Sequence, residues 1–140
     1  MLTDSLSDSS RVLAGTLFIA LVTVETGGLY MVKVVTARAG GPTPFQVAFA
    51  RAGHAHAGVL LILALLCILF AEATTLTGFW LWFARTGVAV AALLMPAGFF
   101  FSSMGANRDR PNTLIWLVFA GAAVLAASLL VLGVGLLMTG

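Results

Sequence analysis

Four apolar runs, each of about 20 residues or more and separated by short polar breaks, dominate this chain. A run of that length crosses a hydrocarbon core of about 30 Å as a single α-helix. Composition agrees with the pattern. Of 140 residues, 61% are hydrophobic and only 9% charged, whereas a soluble domain of this size needs far more charge to cover its surface. The expected fold class is all-α: one integral membrane domain over 1–140, with four transmembrane helices at about 11–35, 45–72, 80–104 and 113–138. Short connections make these helices antiparallel neighbours in a bundle.

Residues 1–10 (MLTDSLSDSS) are polar and read as a short mobile tail. Arg11 ahead of an apolar stretch has the look of a secretory leader. Glu25 follows without a small-x-small cleavage site, however, and the run continues to Tyr30 and Met31, so this segment reads as a retained span. Ala39-Gly40-Gly41-Pro42-Thr43-Pro44 is a breaker cluster. The second span exceeds the minimum length, which places its first two turns in the interface or tilts the helix. Trp80 and Trp82, close to a segment end, suit an interfacial aromatic belt. Pro96 in the third span is expected to kink it. Gly105-Ala106-Asn107-Arg108-Asp109-Arg110-Pro111-Asn112 reads as a solvated loop with a local ion pair, its natural partner being anionic lipid headgroups.

Lipid supplies no hydrophobic drive between helices, so small residues must let the backbones pack closely. Gly53, Ala57, Ala64 and Ala71 fall on one face of the second span, and the fourth carries Gly121, Ala122, Ala123, Ala126, Ala127 and Ser128. Such faces also suit a homo-oligomer or a place in a larger membrane complex. Lys33, Arg38, Arg51, Arg108 and Arg110 flank the 1–2 and 3–4 loops, against Arg11 and Arg85 on the other side. The positive-inside rule then puts those two loops in the cytoplasm of a bacterial inner (plasma) membrane and both termini outside. Seven Arg and Lys against five Asp and Glu, scattered along the chain, give no nucleic-acid surface. Cys67 stands alone in an apolar run, which excludes an intrachain disulfide and a Cys-based zinc site.

Ionisable groups inside such spans need a reason to exist, because an unpaired ionised carboxylate there costs several kcal/mol. Glu25, His54 and His56 all fall about 14–16 Å from the same side, at 1.5 Å per residue. A carboxylate and one imidazole are thus placed to meet between the first two helices. His54 and His56 are about 160° apart around the helix axis, so they address different neighbours and do not ligate one metal from one protomer. Arg51 reads as snorkelling to the cytoplasmic interface, the alternative being a pair with Glu25.

Three uses of this trio stay open. Haem or a transition metal is one, with His54 and His56 as cofactor ligands and Glu25, His54 and His56 as metal ligands. Haem would then need histidines from two protomers, or a histidine with Met95 or Met31. A proton- or ion-linked relay through the three titrating groups is another. The third is no chemistry: an accessory subunit whose polar groups pin helix packing. Ser102 and Ser103 have no nearby His or acid in sequence and no phosphate-binding glycine loop is present, so hydrolysis finds no support. A non-enzymatic accessory or structural role is the leading expectation.

The runs RAGHAHAGVLLIL (51–63), MPAGFF (95–100) and RPNTLIWLVFAGAAVLA (110–126) resemble a group of small four-helix membrane proteins common in actinobacteria. The chain is distantly similar to the YgdD-like four-helix bacterial membrane proteins, which share a glycine-rich first helix and a His near the start of the second. His54-Ala55-His56 at a helix start is a weaker echo of short proteins related to haem-copper oxidase subunit I. The further histidines that ligate haem and copper in those oxidases are missing here. These resemblances imply a four-span membrane fold and no particular activity.

Overall fold

The computed structural model of the chain describes residues 6–36 and 41–139. They form four long helices: α1 (Asp8–Thr36), α2 (Pro44–Glu72), α3 (Gly78–Ser102) and α4 (Trp116–Leu137), with a 3-10 turn at Thr113–Ile115 leading into α4. No strand occurs among the described residues. All four helices are long and apolar enough to cross a membrane. Arg38, Ala39 and Gly40 of the expected first break lie outside the described residues, as do residues 1–5 of the expected tail.

Local chemistry explains the helix ends. The last part of the polar N-terminal stretch is not a free tail, because α1 begins at Asp8. Ser7 takes the N-cap position, its hydroxyl accepting from Ser10 N at 3.3 Å and its carbonyl from Arg11 N at 3.0 Å. Asp8 in the first turn suits the positive end of the helix dipole. At the head of α2, Thr43 and Gln46 form a capping box: Thr43 Oγ1 accepts from Gln46 N at 3.2 Å and Gln46 Oε1 from Thr43 N at 3.1 Å. Pro44 then occupies the first turn, where its missing N–H is no loss. Gly78, with φ +58°, supplies the left-handed residue that opens α3. One side chain handles the α3–α4 crossing. Asn112 donates from Nδ2 to Phe101 O at 3.0 Å, and its Oδ1 accepts from Leu114 N at 2.8 Å.

The helix α3 lies between α2 and α4 and packs extensively against both, while α1 rests mainly on α2. Pro96 sits inside α3, where the helix continues to Ser102 and the ring is buried. The expected stripe on α2 faces inward: Gly53, Ala64 and Ala71 are buried and Ala57 half-buried. Phe100 of α3 covers Gly53 so closely that an added Cβ would lie 3.1 Å from its ring. On α4 only part of the expected small-residue face is used. Gly121 and Ser128 are buried, whereas Ala122, Ala123, Ala126 and Ala127 are exposed. Gly121, Ser128 and Gly135 recur every seven residues, the spacing that keeps one seam of a helix against its partner. At that seam Ser128 Oγ donates to Phe83 O across the helices at 3.1 Å.

Apolar side chains also cover the outside. Phe18, Val59, Leu93 and Leu130, one on each helix, are all more than 60% exposed. A surface of this kind is not that of a water-soluble monomer.

The α3–α4 contact gives a sharp test. A Cβ at Gly98 would stand 2.6 Å from the backbone N of Val118, which has no flexible end to swing aside, whereas one at Gly133 would meet nothing within 4 Å. Gly98→Ala should lower stability by about 1–3 kcal/mol. Gly133→Ala should be neutral or raise it by up to about 1 kcal/mol through helix propensity. Thermal unfolding of both variants in mild detergent checks the contrast.

Candidate functional site

The imidazole of His54 rests on the α1 surface at Gly27-Gly28, where two consecutive residues without side chains leave room for a ring. Cβ atoms built there would lie 3.6 Å from His54 Nδ1 and 3.4 Å from its Cε1 and Nε2, ordinary contact distances. His54 is half-buried and has no hydrogen-bond partner among the described residues. His56, two residues on, turns to α3. Its ring centroid lies 4.9 Å from that of Phe99, and its Nδ1 is 2.7 Å from Ala52 O of its own helix. A carbonyl only accepts, so Nδ1 of His56 carries the proton and Nε2 holds the lone pair in the neutral ring. The two histidines thus address α1 and α3 separately.

Glu25 does not join either of them. It is exposed on α1 and takes part in no hydrogen bond or ion pair among the described residues. Nor do Glu25 and Arg51 pair: Arg51 is exposed and has no carboxylate partner among the described residues. Those residues contain no group of three or more His, Cys, Asp or Glu side chains close enough together to hold a metal ion. What α1 and α2 do form is an open groove of about 520 Å³. Its walls are Gly28, Met31, Val32, Val35 and Thr36 from α1 and Arg51 and His54 from α2. Arg51 and His54 are neighbours one turn apart on the same side of α2, so the groove has one apolar wall and one polar one.

The most connected polar cluster lies at the opposite end of the bundle. Glu72, the last residue of α2, accepts from Ser7 Oγ at 2.8 Å and from Ser10 Oγ, and pairs with Arg85 of α3 at 3.0 Å. Arg85 donates in turn to Ser9 Oγ at 2.7 Å, while its Nε is buried without a partner. Ser10 is fully buried. One carboxylate therefore ties the start of α1 and the start of α3 to the end of α2. The signal for it was present in outline: a Ser/Asp helix start, a Glu and an Arg, all at the same end of their spans. Which of them touch depended on how the helices are placed.

A second clamp occupies the other end. Gln46 Nε2 donates to Ser103 O at 2.9 Å and to Gly105 O at 2.8 Å, and Thr43 Oγ1 donates to Arg108 O. The head of α2 thus holds the backbone of the α3–α4 loop. Asp109 forms no ion pair with Arg108 or Arg110 among the described residues, contrary to the expected local pair, and both Asp109 and Arg110 are exposed.

Comparison of the chain with protein-family models, with curated proteins and with solved structures finds no match.

Arg85 and Glu72 are each more than four-fifths buried, so breaking the pair strands a charge. Arg85→Met or Glu72→Ala should each destabilise the chain by about 2 kcal/mol, less than the 3–5 kcal/mol of a fully buried pair. The double variant should recover part of that loss. A double-mutant cycle on unfolding in detergent reads the coupling directly.

Proposed function

We propose that this chain is a four-span antiparallel membrane bundle with a non-enzymatic, accessory role, and that it acts by associating laterally through α1. Glu25 carries the reading. It stands about 16 Å from the Thr36 end of α1 and about 26 Å from the Asp8 end, exposed, among side chains suited to hydrocarbon. A carboxyl group at that depth is stable only if another helix covers it or supplies a hydrogen bond. The rest of α1 fits a docking helix: it contributes only Ser10, Leu17 and Met31 as buried residues. The likeness to small four-helix actinobacterial membrane proteins agrees with this architecture and adds no chemistry to it.

Three features support the membrane placement, which we propose is that of a bacterial inner membrane. Trp80 and Trp82 lie at one end of the bundle and Trp116 at the other, all exposed, as interfacial belts require. The α3 segment from Trp80 to Ser102 is about 33 Å long, close to one hydrocarbon thickness. The third is the count of Arg and Lys: Lys33, Arg51, Arg108 and Arg110 lie toward one end of the bundle, against Arg11 and Arg85 toward the other. That favours cytoplasmic α1–α2 and α3–α4 loops, with the start of α1 and the end of α4 outside.

Separation of Glu25, His54 and His56 weighs against a metal or haem held within one copy. A bis-histidine site would have to draw its ligands from two copies. Association of fluorescently labelled chains in liposomes tests the lead reading. Glu25→Leu should weaken association while leaving the unfolding temperature in detergent unchanged. Undiminished association would sink it. Proton flux that depends on pH and is lost in Glu25→Gln would replace it with a relay, and a haem band in the purified protein would replace it with a cofactor site.

A further inference from the structure

The groove between α1 and α2 has a polarity that matches one class of molecule in its surroundings. Arg51 and Glu72 lie about 31 Å apart along α2, one hydrocarbon thickness, and between them the only polar or ionisable side chains of α2 are His54, His56 and the buried thiol of Cys67. Arg51 is therefore at the boundary between hydrocarbon and headgroups, and His54 is about 4.5 Å deeper on the same side of the helix. Opposite them, α1 runs from Thr36 at the mouth past Val35, Val32 and Met31 to Gly28. The glycine leaves the floor open beside the imidazole. A guanidinium at the mouth, a ring N–H donor one turn down and an aliphatic wall below correspond in order to phosphate, ester carbonyl and acyl chain.

We propose that the α1–α2 groove is a binding site for an acidic phospholipid. The lipid phosphate meets the Arg51 guanidinium, an ester carbonyl accepts from the His54 ring, and an acyl chain lies along Val35, Val32 and Met31. Charge complementarity selects the occupant. Arg51 has no carboxylate partner among the described residues, and a headgroup that carries its own ammonium competes for the phosphate. The groove of about 520 Å³ is within the range of small-molecule sites and open along one side, as a lipid with a second, free chain requires. The dip between α3 and α4 lined by Leu76, Trp80, Leu130, Val131, Val134 and Gly135 lacks any such charged handle. This proposal rests on the membrane-spanning part of the functional reading and not on lateral association through Glu25.

The test is a titration of the full chain in neutral detergent micelles, followed by the imidazole NMR resonances. The probes are phosphatidylglycerol, phosphatidylcholine and inorganic phosphate. Phosphatidylglycerol should shift the His54 resonances and leave those of His56 in place, with phosphatidylcholine much weaker and phosphate alone without effect. Arg51→Gln, at an exposed position, should keep the fold and weaken binding about tenfold. Gly28→Leu should weaken it by filling the floor while the charge remains. Equal response to phosphatidylcholine, an unchanged affinity in Arg51→Gln, or a response to inorganic phosphate alone would overturn the site. Resistance of the chain to alkaline extraction from membranes reads insertion by itself, so a failed titration with resistant protein counts against the groove and not against the span assignment.

Discussion

Close approach of α3 to its neighbours is the condition on which the other features depend. Where α3 meets α4 the backbones come so near that Gly98 has no room for a Cβ, and Gly121 meets Met95 in the same way from the other side. Dispersion contacts fall off steeply with separation, so helices that share no hydrophobic drive in lipid hold together only when small residues bring their surfaces into register. Once α3 is seated between α2 and α4, polar groups of these three helices come together. Arg85 comes within reach of Glu72, Ser128 finds Phe83 O, and the head of α2 meets the end of α3.

Polar groups are distributed to suit this arrangement. Glu72 with Ser7, Ser10 and Arg85 closes one end, and Thr43 with Gln46 closes the other by holding loop carbonyls. Each end network joins separate stretches of chain: the first through side-chain bonds to one carboxylate, the second by giving partners to loop carbonyls. Between the two ends the exceptions are few. His56 bonds through Nδ1 to its own helix. Glu25, His54 and Arg51 are not satisfied within the described residues, and all three border surfaces that the chain leaves open. The proposed lateral association at Glu25 and the proposed lipid at Arg51 and His54 would complete them in a bilayer.

The histidine pair illustrates what could be read ahead of the structure and what could not. Two residues apart on a helix, His54 and His56 must face different neighbours, and that is geometry internal to one element. Rise per residue also predicts similar depths for Glu25 and His54, and the structure sets His54 beside Gly27 and Gly28, two to three residues along α1 from Glu25. Depth does not fix rotation about the α1 axis, and the rotation adopted puts Gly27 and Gly28 under His54 and leaves Glu25 exposed. The Glu72–Arg85 network went unread for a related reason. Its members come from three elements, and their meeting depends on how α1 and α3 sit against the end of α2.

Helix content, the number of long apolar helices and the buried face of α2 were determined by the sequence itself, because run length, breaker residues and periodicity of small side chains are properties of one segment at a time. Tertiary structure decided which small residues of α4 became contacts, which ionisable groups found partners and where a groove remained. Those outcomes depend on the rotation and axial offset of one helix against another. Many side chains from several elements set both quantities together, so no single stretch of chain encodes them.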